Sequence, residues 1–75
     1  MHPWIVSDPQ IRFGKPCVKG TRISVGEILE ALAAGQSPSD IQADFPQLGI
    51  ETIQACLSYA AARERSSSFL NLALH

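Results

Sequence analysis

The chain has almost nothing with which to staple itself or to run chemistry. It carries two cysteines, Cys17 and Cys56, far apart and without a second cysteine or histidine at metal-ligand spacing, which excludes a disulfide framework and a zinc site. Both read as reduced thiols that behave as small hydrophobes. The two histidines, His2 and His75, stand at the two ends, so no internal imidazole serves as ligand or proton carrier. No Ser or Cys lies beside a base in a catalytic motif, and no close carboxylate pair has an apolar wall. Asp40 and Asp44 share a helix face but read as solvated surface. These absences predict a protein that is not an enzyme and has no metal and no cofactor.

Long apolar runs are missing too. Nothing approaches the roughly 20 residues that a membrane span requires, and Met1-His2-Pro3-Trp4 has neither a charged nor an apolar leader region. A cytoplasmic protein without a membrane partner is expected. The Gly14-Lys15-Pro16 and Gly20-Thr21-Arg22 segments lack the Walker spacing and open no helix directly after the lysine, which argues against a nucleotide site. They fit either a rigid turn, with Arg22 bridging to Asp8 or Glu27, or a basic edge that touches nucleic-acid phosphates.

What is present is a length of 75 residues, enough for one domain and one small core. Without staples, stability must come from regular helix packing or from a second copy, and a homodimer is expected. Net charge is −1, weak for a nucleic-acid binder, but its distribution is uneven. Arg12, Lys15, Lys19 and Arg22 fall in a stretch with no acid, and every acid except Asp8 lies from Glu27 onward.

Trp4-Ile5-Val6 is a β-prone run ended by the turn signal Ser7-Asp8-Pro9. The stretch from Phe13 to Ile23 reads as a looped β-element that pairs with the first strand or with a second copy. From Val25 the period changes: Val25, Ile28, Leu29, Leu32 and Ala33 form one helical stripe, with Ser24 and Glu27 placed as a capping box and Gly35 as the stop. Ser37-Pro38 starts a second helix of about two turns, with Ile41 and Phe45 on one face and Pro46 ending it. A third stripe, Ile50, Ile53, Leu57, Ala60 and Ala61 with Cys56 beside it, predicts a helix to about Arg65, with Arg63 and Arg65 in its last turn. Leu57 reads as core, where truncation to alanine costs about 2–5 kcal/mol.

The fold class is therefore mainly α, a tri-helical helix-turn-helix (winged-helix-like) core with a short N-terminal β-element. Residues 1–65 form the domain. Ser66-Ser67-Ser68 reads as a linker or a new cap, and residues 66–75 as an apolar C-terminal tail whose Phe69, Leu70, Leu72 and Leu74 are candidate partner-binding residues. Candidate DNA-binding residues are the basic Arg12, Lys15, Lys19 and Arg22 and, facing outward on the third helix, Thr52, Gln54 and Ser58. The outward positions of that helix are poor in cations, so a protein-protein or oligomerisation module without DNA stands as the alternative.

The run Gly14-Lys15-Pro16-Cys17-Val18-Lys19-Gly20-Thr21-Arg22-Ile23-Ser24-Val25, with Leu32-Ala33-Ala34-Gly35-Gln36-Ser37-Pro38, Phe45-Pro46-Gln47-Leu48 and Ala55-Cys56-Leu57-Ser58-Tyr59-Ala60, resembles the small bacterial family called domain of unknown function 433, over about residues 5 to 62. The resemblance implies a winged-helix-like or helix-turn-helix fold. It also implies likeness to VapB-type antitoxins, which are encoded beside a PIN-like ribonuclease toxin that they bind and inhibit. On that likeness the core binds operator DNA and the segment after it covers the toxin; it supplies no catalytic residues. The family usually has Gly-Gly-Lys-Pro where this chain has Phe13-Gly14-Lys15-Pro16, and Thr or Ser as the cap of the third helix, where Gly49 stands here.

Overall fold

The computed structural model describes the backbone of residues 3–74 and the side chains of residues 3–65. The order of elements is β1 (Ile5–Val6), β2 (Cys17–Val18), α1 (Val25–Ala33), α2 (Pro38–Asp44) and α3 (Ile50–Leu74). This is a mainly α domain with a two-stranded antiparallel element near its start, and α2, a short turn and α3 follow one another as in a helix-turn-helix. No helix among the described residues is long and apolar enough to cross a membrane.

The β-element pairs within the chain. Ile5 lies opposite Val18 and Val6 opposite Cys17. On its other side β2 is held by residues that follow it: Val18 N–H donates to the Ile23 carbonyl at 2.9 Å and Val25 N–H to the Pro16 carbonyl at 2.9 Å. The reversal between them is a β-turn, closed by Thr21 N–H to the Val18 carbonyl at 3.0 Å, whose third residue Gly20 takes φ 78°. That positive φ is the requirement of a type II turn and is why glycine stands there. Thr21 completes the turn, donating its hydroxyl to the Val18 carbonyl and accepting from Ile23 N–H.

Each helix begins and ends on local chemistry. Ser24 caps α1, its hydroxyl accepting from Glu27 N–H at 3.1 Å. The expected return bond, from Ser24 N–H to the Glu27 carboxylate, is not made, and that carboxylate pairs with Arg12. At the other end Gly35 N–H bonds the Leu32 carbonyl and Gln36 N–H the Ala31 carbonyl, a Schellman stop with Gly35 at φ 94°. α2 has the full capping box: Asp40 N–H donates to the Ser37 hydroxyl, and Ser37 N–H to the Asp40 carboxylate. These bonds from the Ser37 backbone and side chain hold the Asp40 carboxyl below its ordinary pKa. Gln42 then donates to the Leu48 carbonyl at 3.1 Å, tying α2 to the turn that leads into α3.

The core forms where α1, α2, α3 and the strands converge, on Ile5, Val18, Ile23, Val25, Ile28, Ile41, Leu48, Ile53 and Cys56, with Leu29, Leu32, Phe45 and Tyr59 packed against it. Both thiols are free and buried, and burial pushes the Cys56 thiol up.

α3 departs from the sequence reading in two ways. Its buried face is Thr52, Ile53, Ala55 and Cys56, with Tyr59 and Ala60 half-buried, whereas Ile50 and Leu57 are 43 % and 46 % exposed. The helix is turned by roughly one residue step, about 100°, from the orientation that the stripe implies. Threonine, alanine and cysteine are small, so their face lets α3 approach the rest of the core closely, and the larger Leu57 is left at the edge. Second, α3 does not break at Ser66-Ser67-Ser68 but continues to Leu74. Three serines carry no glycine or proline stop, each costs only about 0.5 kcal/mol of helix propensity, and propagation adds a hydrogen bond per residue. Arg63 and Arg65 are consequently interior to the helix and not in its last turn.

Two outcomes follow from this packing. Ile53→Ala should lose about 2–5 kcal/mol in urea denaturation, and Leu57→Ala less than about 1 kcal/mol; equal losses would contradict the rotation of α3. The depressed Asp40 pKa contributes stability that is complete above the ordinary carboxylate value and is lost as pH falls through the lower folded value. The Tm difference between wild type and Asp40→Ala should therefore hold at neutral pH and shrink below about pH 4, in thermal melts followed by circular dichroism.

Candidate functional site

The uneven distribution of charge in sequence falls on different elements, although the Glu27 carboxylate comes back to pair with Arg12. From Pro9 to Gly26 there are four cations and no acid; from Ile23 to Ala62 there are Glu27, Glu30, Asp40, Asp44 and Glu51 and no cation. The loop between β1 and β2, together with the Val18–Thr21 turn, is thus the basic end, while α2 and the start of α3 form an acidic one.

The basic loop is built with care for its backbone. Asp8 accepts from Gln10 N–H at 2.9 Å through its carboxylate and from Ile11 N–H at 2.8 Å through its carbonyl. The chain then makes a left-handed turn, Arg12 at φ 52°, Phe13 at φ 58° and Gly14 at φ 84°, closed by Lys15 N–H to the Arg12 carbonyl at 3.1 Å. Left-handed backbone costs a side-chain-bearing residue roughly 1–2 kcal/mol. The turn is anchored through Arg12, whose Nη1 pairs with the Glu27 carboxylate and donates to the Arg22 carbonyl at 3.2 Å. The bridge to Glu27 is therefore made by Arg12, not by Arg22. Both partners are about a third exposed, so the pair contributes under about 1 kcal/mol and acts mainly to fix the loop against α1.

Beside this loop lies a cleft of about 690 Å³ between the Arg12–Pro16 segment, the first turns of α1 and α3 from Tyr59 to Glu64. Its floor includes Val25, Leu29 and Ala60, and its rim carries cations and carboxylates together. On that rim Arg63 lies 5.6 Å from the Tyr59 ring centroid and donates to its hydroxyl at 3.3 Å. No group of three residues that could hold a metal ion occurs among the described residues.

The family model described as a protein of unknown function, DUF433, matches residues 5–60, which span both strands, α1, α2 and the packed part of α3. The chain belongs to the DUF433 family. A relative is an uncharacterized protein, y4eO, of Sinorhizobium fredii (strain NBRC 101917 / NGR234), 36 % identical over 58 residues, which cover 77 % of this chain and 26 % of that protein. The chain thus spans about a quarter of the relative's length. No solved structure matches it.

Within this DUF433 domain the residues singled out from sequence separate into three groups. Arg12 and Lys15 lie on the left-handed turn, to which Arg22 is joined by its backbone carbonyl, while Lys19 lies at the tip of the hairpin, its N–H bonded to the Trp4 carbonyl. Gln54 and Ser58 are exposed on α3, but Thr52 is 8 % exposed, so a base-reading role for it is corrected. It belongs to the small-residue face that packs inward. The side chains of Phe69, Leu70, Leu72 and Leu74 lie outside the described residues, although their backbone is part of α3. Missed from sequence were Ile50, Leu57 and Phe13 as exposed apolar groups. Phe13 stands at positive φ, a backbone region that favours glycine.

Replacing Arg12 with Met, which keeps the stem and removes the charge, should cost about 0.2–1 kcal/mol in urea denaturation at low salt. The difference from wild type should narrow at 1 M salt, and one that is unchanged by salt would show that the ion pair is not its source.

Proposed function

We propose that the chain is an antitoxin-type binding protein of the cytoplasm, which as a homodimer neutralises a PIN-like ribonuclease and contacts the DNA of its own operon. The observation that carries the protein-binding half is the exposure of Ile50 and Leu57 on α3, seven residues apart and so on one face of the helix, in a chain too small to spare apolar surface. α3 then continues to Leu74 through a sequence that includes Phe69, Leu70, Leu72 and Leu74, the segment proposed to reach the toxin. The polarity of charge supports a division of labour, with the basic loop meeting phosphates and α3 meeting protein.

A binding module without DNA is the second reading, and one observation favours it. With Thr52 buried, the first turns of α3 offer Gln54 and Ser58 to base edges, and Glu51 in its first turn repels phosphate.

The deciding experiment sequences the adjacent reading frames, titrates the purified chain into any PIN-like ribonuclease that they encode and follows RNA cleavage; the absence of such a frame would count against the reading. Stoichiometric inhibition by wild type, weakened at least about tenfold by Leu57→Arg at unchanged Tm, is the expected result. Full cleavage in the presence of excess chain would remove the antitoxin reading, and undiminished inhibition by both Ile50→Arg and Leu57→Arg would remove α3 as the contact. A salt-sensitive gel shift with the upstream DNA separates the first reading from the second.

A further inference from the structure

Phe13 is 100 % exposed, and no other large apolar side chain among the described residues is as much as half exposed. Its backbone lies in the left-handed region at φ 58°, directly after Arg12 at φ 52°. Both facts weigh against the residue: the ring contributes nothing to the core, and its Cβ strains the turn. Glycine at this position would relieve the strain and lose no contact. A fold that keeps an aromatic under these conditions holds it for something outside the chain.

The arch that carries Phe13 is rigid. Gly14 N–H bonds the Ile11 carbonyl and Lys15 N–H the Arg12 carbonyl, both at 3.1 Å, and the Arg12 guanidinium fastens the turn to Glu27 and to the Arg22 carbonyl. The backbone that carries the ring is therefore set in the fold, so that binding needs to order only the side chain. Its surroundings identify the kind of surface it meets. An aromatic anchor for a protein pocket is ringed by further apolar contacts, whereas Phe13 is followed by the exposed Lys15 and lies in the acid-free stretch with Lys19 and Arg22. The nearest preceding carboxylate, that of Asp8, is occupied by Gln10 N–H. An exposed π-face on a loop whose next charged side chain, Lys15, is exposed and has no carboxylate partner among the ion pairs of the described residues matches a nucleobase flanked by phosphates, where aromatic side chains wedge between base steps or stack on unpaired bases.

We infer that Phe13 is a base-stacking wedge: the Arg12–Gly14 turn presents its ring to a base of DNA while Lys15 and Arg22 meet the flanking phosphates. This rests on the DNA-contacting half of the function proposed above and places that contact on the β1–β2 loop instead of on α3.

The test is fluorescence anisotropy of the full chain with two fluorescein-labelled probes, a 30-base-pair duplex of the DNA upstream of its gene and one strand of the same sequence, alongside thermal melts. Phe13→Gly should raise Tm by several degrees through release of the left-handed strain, yet weaken binding about 5- to 150-fold. Phe13→Trp should restore binding. Lys15→Gln and Arg22→Gln should instead lower the dependence of affinity on salt, which Phe13→Gly leaves unchanged. A loss confined to the duplex assigns a wedge between base steps, and a loss confined to the single strand assigns stacking on unpaired bases. Equal affinity of Phe13→Gly and wild type for both probes overturns the inference and leaves the DNA reading standing. No binding by wild type overturns both, and a Phe13→Gly chain that keeps DNA affinity but no longer inhibits the ribonuclease makes Phe13 a protein anchor instead.

Discussion

The burial of Ile28, Ile41 and Ile53, one from each helix and each at most 1 % exposed, is the contact on which the rest of this domain depends. A chain of this size has apolar surface for only one core, so all three helices must spend their best side chains at the same place, and the strands must add Ile5 and Val18 to it. The small hairpin is for that reason part of the core and not an ornament on it. Cys17 and Cys56 fill the remaining gaps as buried thiols, a use that keeps both of them out of contact with water.

That shared core fixes the two surfaces that matter. Because α3 presents its small residues inward, Ile50 and Leu57 come to rest on an outer flank, and the same rotation turns Thr52 away from any ligand. β2 is clamped between β1 and the residues before α1, and the loop ahead of it crosses in a left-handed turn. Arg12 then serves as the fastening, spending its charge on Glu27 and leaving Lys15, Lys19 and Arg22 as the cations of the basic end. The acidic character of α2 and of the first turn of α3 makes the helix-turn-helix layout a matter of architecture, and phosphate recognition by its third helix runs against the charges found there.

Much of this was legible in the residues. Ser24 before Val25, Gly35 after Ala33 and Ser37-Pro38 before Asp40 mark helix ends by chemistry confined to a few neighbours, and each is found where the pattern places it. The stripe of α1 was legible because its isoleucine, leucines and valine leave one apolar side. The stripe of α3 was not, because Thr52, Ala55 and Cys56 are as fit for burial as for exposure, and only the shape of the surface opposite decides. The half-formed capping box of α1 was not legible either, since the partner of Glu27 is Arg12, fifteen residues earlier. As for the candidate site, its cations were visible in the sequence, whereas the strained turn that carries Arg12 and Phe13 was not.

The sequence by itself determined the ends of α1 and α2, the turn at Gly20, the free thiols and the separation of cations from acids, since these depend on the intrinsic conformational preferences and charges of residues close together in the chain. Tertiary structure alone decided the rotation of α3, the pairing of Arg12 with Glu27 and the exposure of Phe13. Each of these is a competition between faces or partners of similar intrinsic merit, and it is settled only when distant segments pack and the space left between them admits one solution.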